Sequence, residues 1–158
     1  LFFMIHTKKN SKEIKGTIDS NLYKQKKIMT DYEKYFYHVL SKLETELPIK
    51  IHPQINLATI VTKRKENRYI NELFRSIDFA IFTKDYEKLL LLIEINDKTH
   101  RQKKRYRRDQ KVKQILSIVN IKLITFYTEY SNQEDYILNR IRKELHDQEN
   151  DFQIQKTI

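Results

Sequence analysis

The stretch of sequence that decides the fold lies in the middle of the chain, at residues 77–95, and reads IDFAIFTKDYEKLLLLIEI. Residues 77–82 predict a strand and residues 83–87 a turn. Residues 88–95 are rich in Leu and Ile, as is typical of a central strand covered on both faces. Because the two strands are so close in sequence, we expect them to pair as an antiparallel hairpin.

Upstream of this hairpin, the sequence predicts one helix and then extended chain. Apolar residues recur at helical spacing from residue 32 to residue 43. Thr30, followed three residues later by Glu33, is a capping box that predicts where this helix begins. Residues 49–61 predict one or two extended segments, interrupted by Pro53.

Downstream of the hairpin, the pattern alternates between helix and strand. Residues 103–119 predict a helix, residues 121–127 a strand, and residues 136–145 a last amphipathic helix. A helix that links one strand to the next is the crossover of a mixed or parallel sheet. The order of elements therefore predicts an α/β/α sandwich.

Composition sets the outer bounds of the prediction. The chain has 158 residues and no cysteine, which suits one domain and excludes disulfides, thiolate zinc sites and cysteine nucleophiles. We expect a flexible basic leader at 1–28, a folded domain at 29–146, and a polar, frayed tail at 147–158. No apolar run is long enough to span a bilayer, so we expect no membrane contact and a cytoplasmic location.

Positive charge is concentrated in two places. The formal net charge is +10, with +5 in residues 1–30, +7 in residues 101–113 and −2 in the rest. Such a patch favours a polyanionic partner, although a solvated face in a Lys-rich chain is the simpler alternative. We expect nucleic acid, most simply DNA, to be gripped through its phosphates by the basic residues of the second window, namely Arg101, Lys103, Lys104, Arg105, Arg107, Arg108, Lys111 and Lys113.

Two carboxylates fall inside the apolar hairpin. Asp78 interrupts the first strand, and Glu94 ends the Leu/Ile run of the second. Burial of such groups is costly, and the two would repel each other unless a cation or a shared proton lies between them. Oxygen ligands suit Mg²⁺ or Mn²⁺. The alternative is that each carboxylate pairs with a Lys or Arg.

These residues carry a resemblance to a known superfamily. The segments Ile77–Ala80, Leu92–Asp97 with His100, Arg108–Asp109 and Ile121–Ile124 resemble the PD-(D/E)XK, restriction-endonuclease-like superfamily. They are most similar to the bacterial domain-of-unknown-function family 2726 and, more distantly, to very-short-patch repair endonucleases. The likeness covers roughly residues 29–128. It implies a three-layer α/β/α sandwich with a central mixed sheet, and a Mg²⁺- or Mn²⁺-dependent endonuclease.

The resemblance also implies residue roles. Asp78 and Glu94 match metal-binding positions, and Glu33 matches a helix glutamate that joins many such sites. Asp97 and Asp109 would support the ligands. The remaining catalytic candidates lie on or after the second strand: Asn96, Lys98 and His100.

One departure from the superfamily pattern leaves alternatives open. Asn96 stands where the superfamily usually has Lys, so a cation would have to come from Lys98, Lys111 or Lys113. The leading hypothesis is a metal-dependent nuclease that hydrolyses DNA phosphodiester bonds. The alternatives are a catalytically inactive nucleic-acid-binding module of the same fold, and an interaction protein that binds an acidic partner.

Overall fold

The computed structural model describes residues 22–65, 70–96, 103–128 and 133–156, with the backbone alone described at 70–71, 103–108 and 148–156. A 3-10 helix spans Ile70–Leu73. The other elements, in chain order, are α1 (Asp31–Ser41), α2 (Leu43–Glu46), β1 (Ile49–Asn56), α3 (Leu57–Ile60), β2 (Ser76–Thr83), β3 (Leu89–Asn96), α4 (Lys103–Ile118), β4 (Leu123–Tyr127) and α5 (Glu134–Lys156).

The four strands form one open mixed sheet in the order β1-β2-β3-β4. Strand β2 pairs antiparallel with both β1 and β3, which confirms the predicted hairpin. Strand β4 lies parallel to β3, with Glu94 opposite Thr125. A parallel pair needs a crossover connection, and α4 lies in the segment between these two strands as predicted. The fold is therefore an α/β fold.

Helix α1 begins where the sequence predicts. The Thr30 side chain accepts a hydrogen bond from the Glu33 backbone N–H, and the Glu33 carboxylate accepts one from the Thr30 backbone N–H. This reciprocal pair satisfies two backbone donors that a helix start leaves without a partner. The apolar stripe of α1 then turns inward, with Phe36, Val39 and Leu40 fully buried.

The core consists of two apolar clusters on opposite faces of the sheet. Successive residues of β3 alternate between them, with Leu91 and Ile93 in one cluster and Leu92 in the other. The first cluster includes residues of α1 and α5, and within it the ring of Phe36 lies 5.9 Å from that of Phe79. The second includes Val112 and Leu116 of α4. Helices thus anchor the sheet through both clusters.

Two local predictions upstream of the hairpin are wrong. Residues 57–60 form α3 and not extended chain, because the Asn56 side chain accepts the Ala58 N–H at 2.9 Å and caps a helical turn. Pro53 does not interrupt β1, which runs through it. In the described sheet β1 is an edge strand, the kind of strand in which proline is tolerated.

At the other end of the chain, α5 continues to Lys156, so the segment predicted to fray from residue 147 is helical in the backbone. The predicted leader lies outside the described residues up to position 21, and its described part contains the exposed Leu22, Tyr23 and Ile28. In the described part of the chain, no helix combines the length and the apolar character that crossing a membrane requires.

Candidate functional site

Asp78 lies where β2 and β3 separate. The two strands pair from Leu89 opposite Phe82 to Ile93 opposite Phe79, and one residue further along, the Asp78 carboxylate accepts the Ile95 backbone N–H at 2.7 Å. Burial raises the pKa of Asp78 to about 6. The Ile95 hydrogen bond opposes this rise, while the neighbouring Glu33 carboxylate adds to it. Asp78 is therefore a carboxylate that its surroundings make costly to ionise.

Glu94 lies on the adjacent strand and has only 9% of its surface exposed. Among the side chains that the structure describes, it is the one charged residue that is buried. Burial raises its pKa, and the positive charge of Arg75 opposes that rise. The charges of Asp78 and Asp109 raise the pKa further, whereas Lys113 lowers it. The two predicted carboxylates therefore stand on neighbouring strands and within electrostatic range of each other.

Glu33 of α1 is hydrogen-bonded at this site by Gln54, a residue to which the sequence predictions assigned no role. Its Oε1 accepts a hydrogen bond from Gln54 Nε2 at 3.1 Å, and Ser76 Oγ donates to Gln54 Oε1 at 2.8 Å. Gln54 has a φ of 53°, in the left-handed region that is uncommon for a residue other than glycine. Gln54 lies between Pro53, which pairs with Phe79, and Ile55, which pairs with Ile77. The unusual backbone of Gln54 thus coincides with hydrogen bonds that fix the Glu33 carboxylate.

The positive charge beside Glu94 comes from Arg75, which the sequence predictions also did not single out. Its Nη2 lies 2.6 Å from Asp109 Oδ1 and 3.8 Å from Glu94 Oε1. Asp109 lies on α4 and contacts Arg75, and its predicted role in supporting the metal ligands stays a prediction. The alternative that a carboxylate pairs with a basic residue also applies in part to Glu94.

The basic helix α4 passes the same site. Lys113 is near enough to lower the pKa of Glu94, and Lys111 lies 4.0 Å from Glu72. Of the other predicted nucleic-acid contacts, Arg101 lies outside the described residues, as do the side chains of Lys103, Lys104, Arg105, Arg107 and Arg108. The backbone of residues 103–108 forms the start of α4. Because the helical rise is about 1.5 Å per residue, this basic segment begins within about 10 Å of Asp109 along the helix axis.

Three further predicted residues lie outside the described residues, namely Asp97, Lys98 and His100. Asn96 is the last residue of β3 and is partly exposed, opposite Tyr127 of β4. The predicted roles of Asn96, Asp97, Lys98 and His100 stay predictions.

The donor set can be compared with what a divalent ion requires. Among the side chains that are described, no group of three or more His, Asp and Glu residues has the spacing to hold a metal ion. Two carboxylates are nevertheless enough for Mg²⁺, which keeps several waters and often binds through one or two carboxylates plus phosphate oxygens. Asp78 and Glu94, on neighbouring strands, supply the two carboxylates that this pattern needs. Glu33 as a third ligand stays a prediction.

The family of the chain follows from comparison with known sequences. Residues 25–145 match the model of the family described as "Protein of unknown function (DUF2726)". This match covers most of the chain, including α1, the whole sheet and the acidic residues, so the chain belongs to that family. No curated protein and no solved structure matches it significantly.

Proposed function

We propose that this chain is a metal-dependent nuclease that hydrolyses DNA phosphodiester bonds, with Asp78 and Glu94 as ligands of one Mg²⁺ or Mn²⁺. The observation that carries the proposal is the buried Glu94 carboxylate beside Asp78 at the diverging ends of β2 and β3. A cation between them would remove a repulsion that the fold otherwise has to tolerate. We also propose that the sheet and its helices form the three-layer sandwich of the PD-(D/E)XK superfamily.

The reaction would be hydrolysis at a backbone phosphate. The oxygen of a water molecule bonds to phosphorus, the bond to the leaving sugar oxygen breaks, the water gives up a proton and the leaving oxygen gains one. A bound Mg²⁺ would lower the pKa of water and neutralise charge on the phosphoryl group. The chain itself contributes fixed carboxylates: the Ile95 N–H orients Asp78, and Gln54 orients Glu33.

Substrate approach is supported by the position of α4. The contact between Asp109 and Arg75 holds this helix beside the acidic site, and the basic residues 103–108 precede Asp109 on the same helix. A phosphate backbone gripped by that segment would lie close to Glu94. Electrostatic contacts with phosphates do not depend on base sequence. The proposal therefore names DNA as the polymer and the phosphodiester as the bond that is cut, and it names no recognition sequence.

The test is incubation of supercoiled plasmid with the purified chain in Mn²⁺ or Mg²⁺. We expect conversion to the nicked form that stops in EDTA and falls by orders of magnitude in Glu94→Gln. The matched control is Glu87→Gln, the same chemical change at an exposed residue of the β2–β3 turn, at the far end of the hairpin. Equal nicking by parent and Glu94→Gln would contradict the proposal.

A second function is favoured by two observations. Asn96 stands in place of the usual lysine, and Arg75 already gives Glu94 a cationic neighbour without metal. Both facts suit a nucleic-acid-binding module that has lost cleavage. Such a module would bind plain duplex with a steep salt dependence yet leave plasmid intact. If the protein instead binds an acidic protein partner, it should show no salt-dependent affinity for duplex.

A further inference from the structure

Arg75 is placed between an acidic residue of the sheet and an acidic residue of α4. Its backbone carbonyl accepts the Leu57 N–H at 2.7 Å, which fixes the chain just before β2. Its side chain is 26% exposed, so the guanidinium is largely withdrawn from bulk water and yet accessible. In that setting a positive charge acts more strongly than on an open surface.

The contacts of Arg75 are uneven. Asp109 Oδ1 lies 2.6 Å from Nη2, at hydrogen-bond distance, whereas Glu94 Oε1 lies 3.8 Å from the same nitrogen, beyond it. Within the described part of the chain, no hydrogen bond uses Nη1 or Nε of Arg75. The side chain is thus held by Asp109 on one nitrogen and faces the Glu94 carboxylate without being bonded to it.

A guanidinium presents five N–H donors in a planar fork that matches the oxygens of a phosphate. An ion bound at Glu94 would bring phosphate oxygens into the same small space, within reach of the Arg75 fork. We propose that Arg75 is a catalytic residue that binds the non-bridging oxygens of the phosphate under attack. It would supply the positive charge that Asn96 cannot, with Asp109 as the positioning residue that aims it. This inference rests on the proposed function.

The competing explanation is that Arg75 is only a structural counterion of Glu94 and Asp109. The salt dependence of DNA binding separates the explanations. A phosphate contact contributes to the salt dependence of DNA binding, by about 0.9 in the slope of log affinity against log salt for each contact. A structural counterion contributes to the melting temperature and leaves that slope unchanged.

The experiment compares the parent with Arg75→Gln in binding to a short duplex, across a salt series with Ca²⁺ present. We expect the slope to fall by about 0.9 in the variant. In the plasmid assay at saturating Mn²⁺, we expect nicking to slow by roughly 100-fold, the usual loss when one group that stabilises transition-state charge is removed. Mn²⁺ binding should persist or tighten, because a positive charge beside Glu94 is gone.

The matched control is Lys84→Gln, the same loss of charge at an exposed residue of the β2–β3 turn. It should leave slope and rate unchanged. If Arg75→Gln does not fold, Arg75→Lys decides the matter, since it keeps the charge and loses the fork. It should retain the slope and slow nicking at least tenfold. An unchanged rate in Arg75→Lys overturns the proposal.

The outcomes distinguish this inference from the proposed function. A parent that nicks, together with an Arg75→Gln variant of unchanged slope, overturns the role of Arg75 alone. A parent that binds duplex without nicking overturns both cleavage and the catalytic role of Arg75, and the slope then decides only whether Arg75 contacts a phosphate. A parent that does not bind duplex overturns both.

Discussion

Replacing Asp78 by Asn should stabilise the metal-free protein at pH 8. Burial raises the pKa of this carboxyl to about 6 in the folded state, against an ordinary value of 3.8. Between these pH values the folded state binds more protons than the unfolded state. Stability is therefore lost as the pH rises through that window, and Asn, which carries no charge, avoids the loss. The Asn oxygen can still accept the Ile95 N–H.

The expected magnitude follows from the two pKa values. Each unit of difference corresponds to about 1.4 kcal/mol, so Asp78→Asn should raise the free energy of unfolding by about 3 kcal/mol at pH 8. For a domain of this size, that is a rise of roughly 6 to 12 °C in melting temperature. The gain should shrink as the pH falls from 7 towards 4. Thermal melts in EDTA, read by circular dichroism, measure it.

Asp85 provides a matched control of opposite sign. It is fully exposed, and hydrogen bonds from the Thr83 hydroxyl and the Glu87 N–H lower its pKa. A lowered pKa gives stability that is present above the unfolded value and lost as the pH falls. Asp85→Asn should therefore be destabilising or neutral at pH 8. If Asp78→Asn behaved in the same way as Asp85→Asn, the reasoning that places a costly charge at Asp78 would be refuted.

Three further predictions concern binding, stability and chemistry. Glu94→Gln should raise the melting temperature of the metal-free protein and should abolish the rise in melting temperature that Mn²⁺ causes in the parent, as measured in parallel melts. If the variant is destabilised and Mn²⁺ shifts the melting temperature of neither protein, Glu94 is a partner in a structural ion pair. Alanine at Arg105, Arg107 and Arg108 should flatten the salt dependence of duplex binding by about one unit per lost contact, with unchanged affinity at low salt as the contrary result. Asn120 lies in the turn that follows α4 and has a φ of 54°; Asn120→Val should cost about 1 to 2 kcal/mol in denaturant melts and Asn120→Gly almost nothing.

The hairpin and crossover were predictable because their signals are local. An apolar run, a short turn and a helical stripe each fall within a window of about 20 residues, and the hairpin alone is enough to bring Asp78 and Glu94 onto neighbouring strands. The capping box at Thr30 is also local. These features therefore agree between sequence and structure.

The contacts of Arg75 and Gln54 were not predictable in the same way. Arg75 meets Asp109 across 34 positions of sequence, and this contact depends on how α4 docks on the sheet, which no local pattern encodes. Gln54 adopts a left-handed conformation that its side chain does not favour. Arg75 directly precedes the strand that carries Asp78, and Gln54 follows Pro53, but neither position by itself indicates these contacts.

The central claim is that Asp78 and Glu94 together hold one divalent ion. Titration of the purified chain with Mn²⁺, followed by the electron paramagnetic resonance signal of the free ion, tests it most directly. We expect one ion bound per chain at pH 7.5, weakened strongly by either Asp78→Asn or Glu94→Gln and unaffected by Glu87→Gln. Equal binding by all four proteins, or no binding by the parent, would contradict the claim.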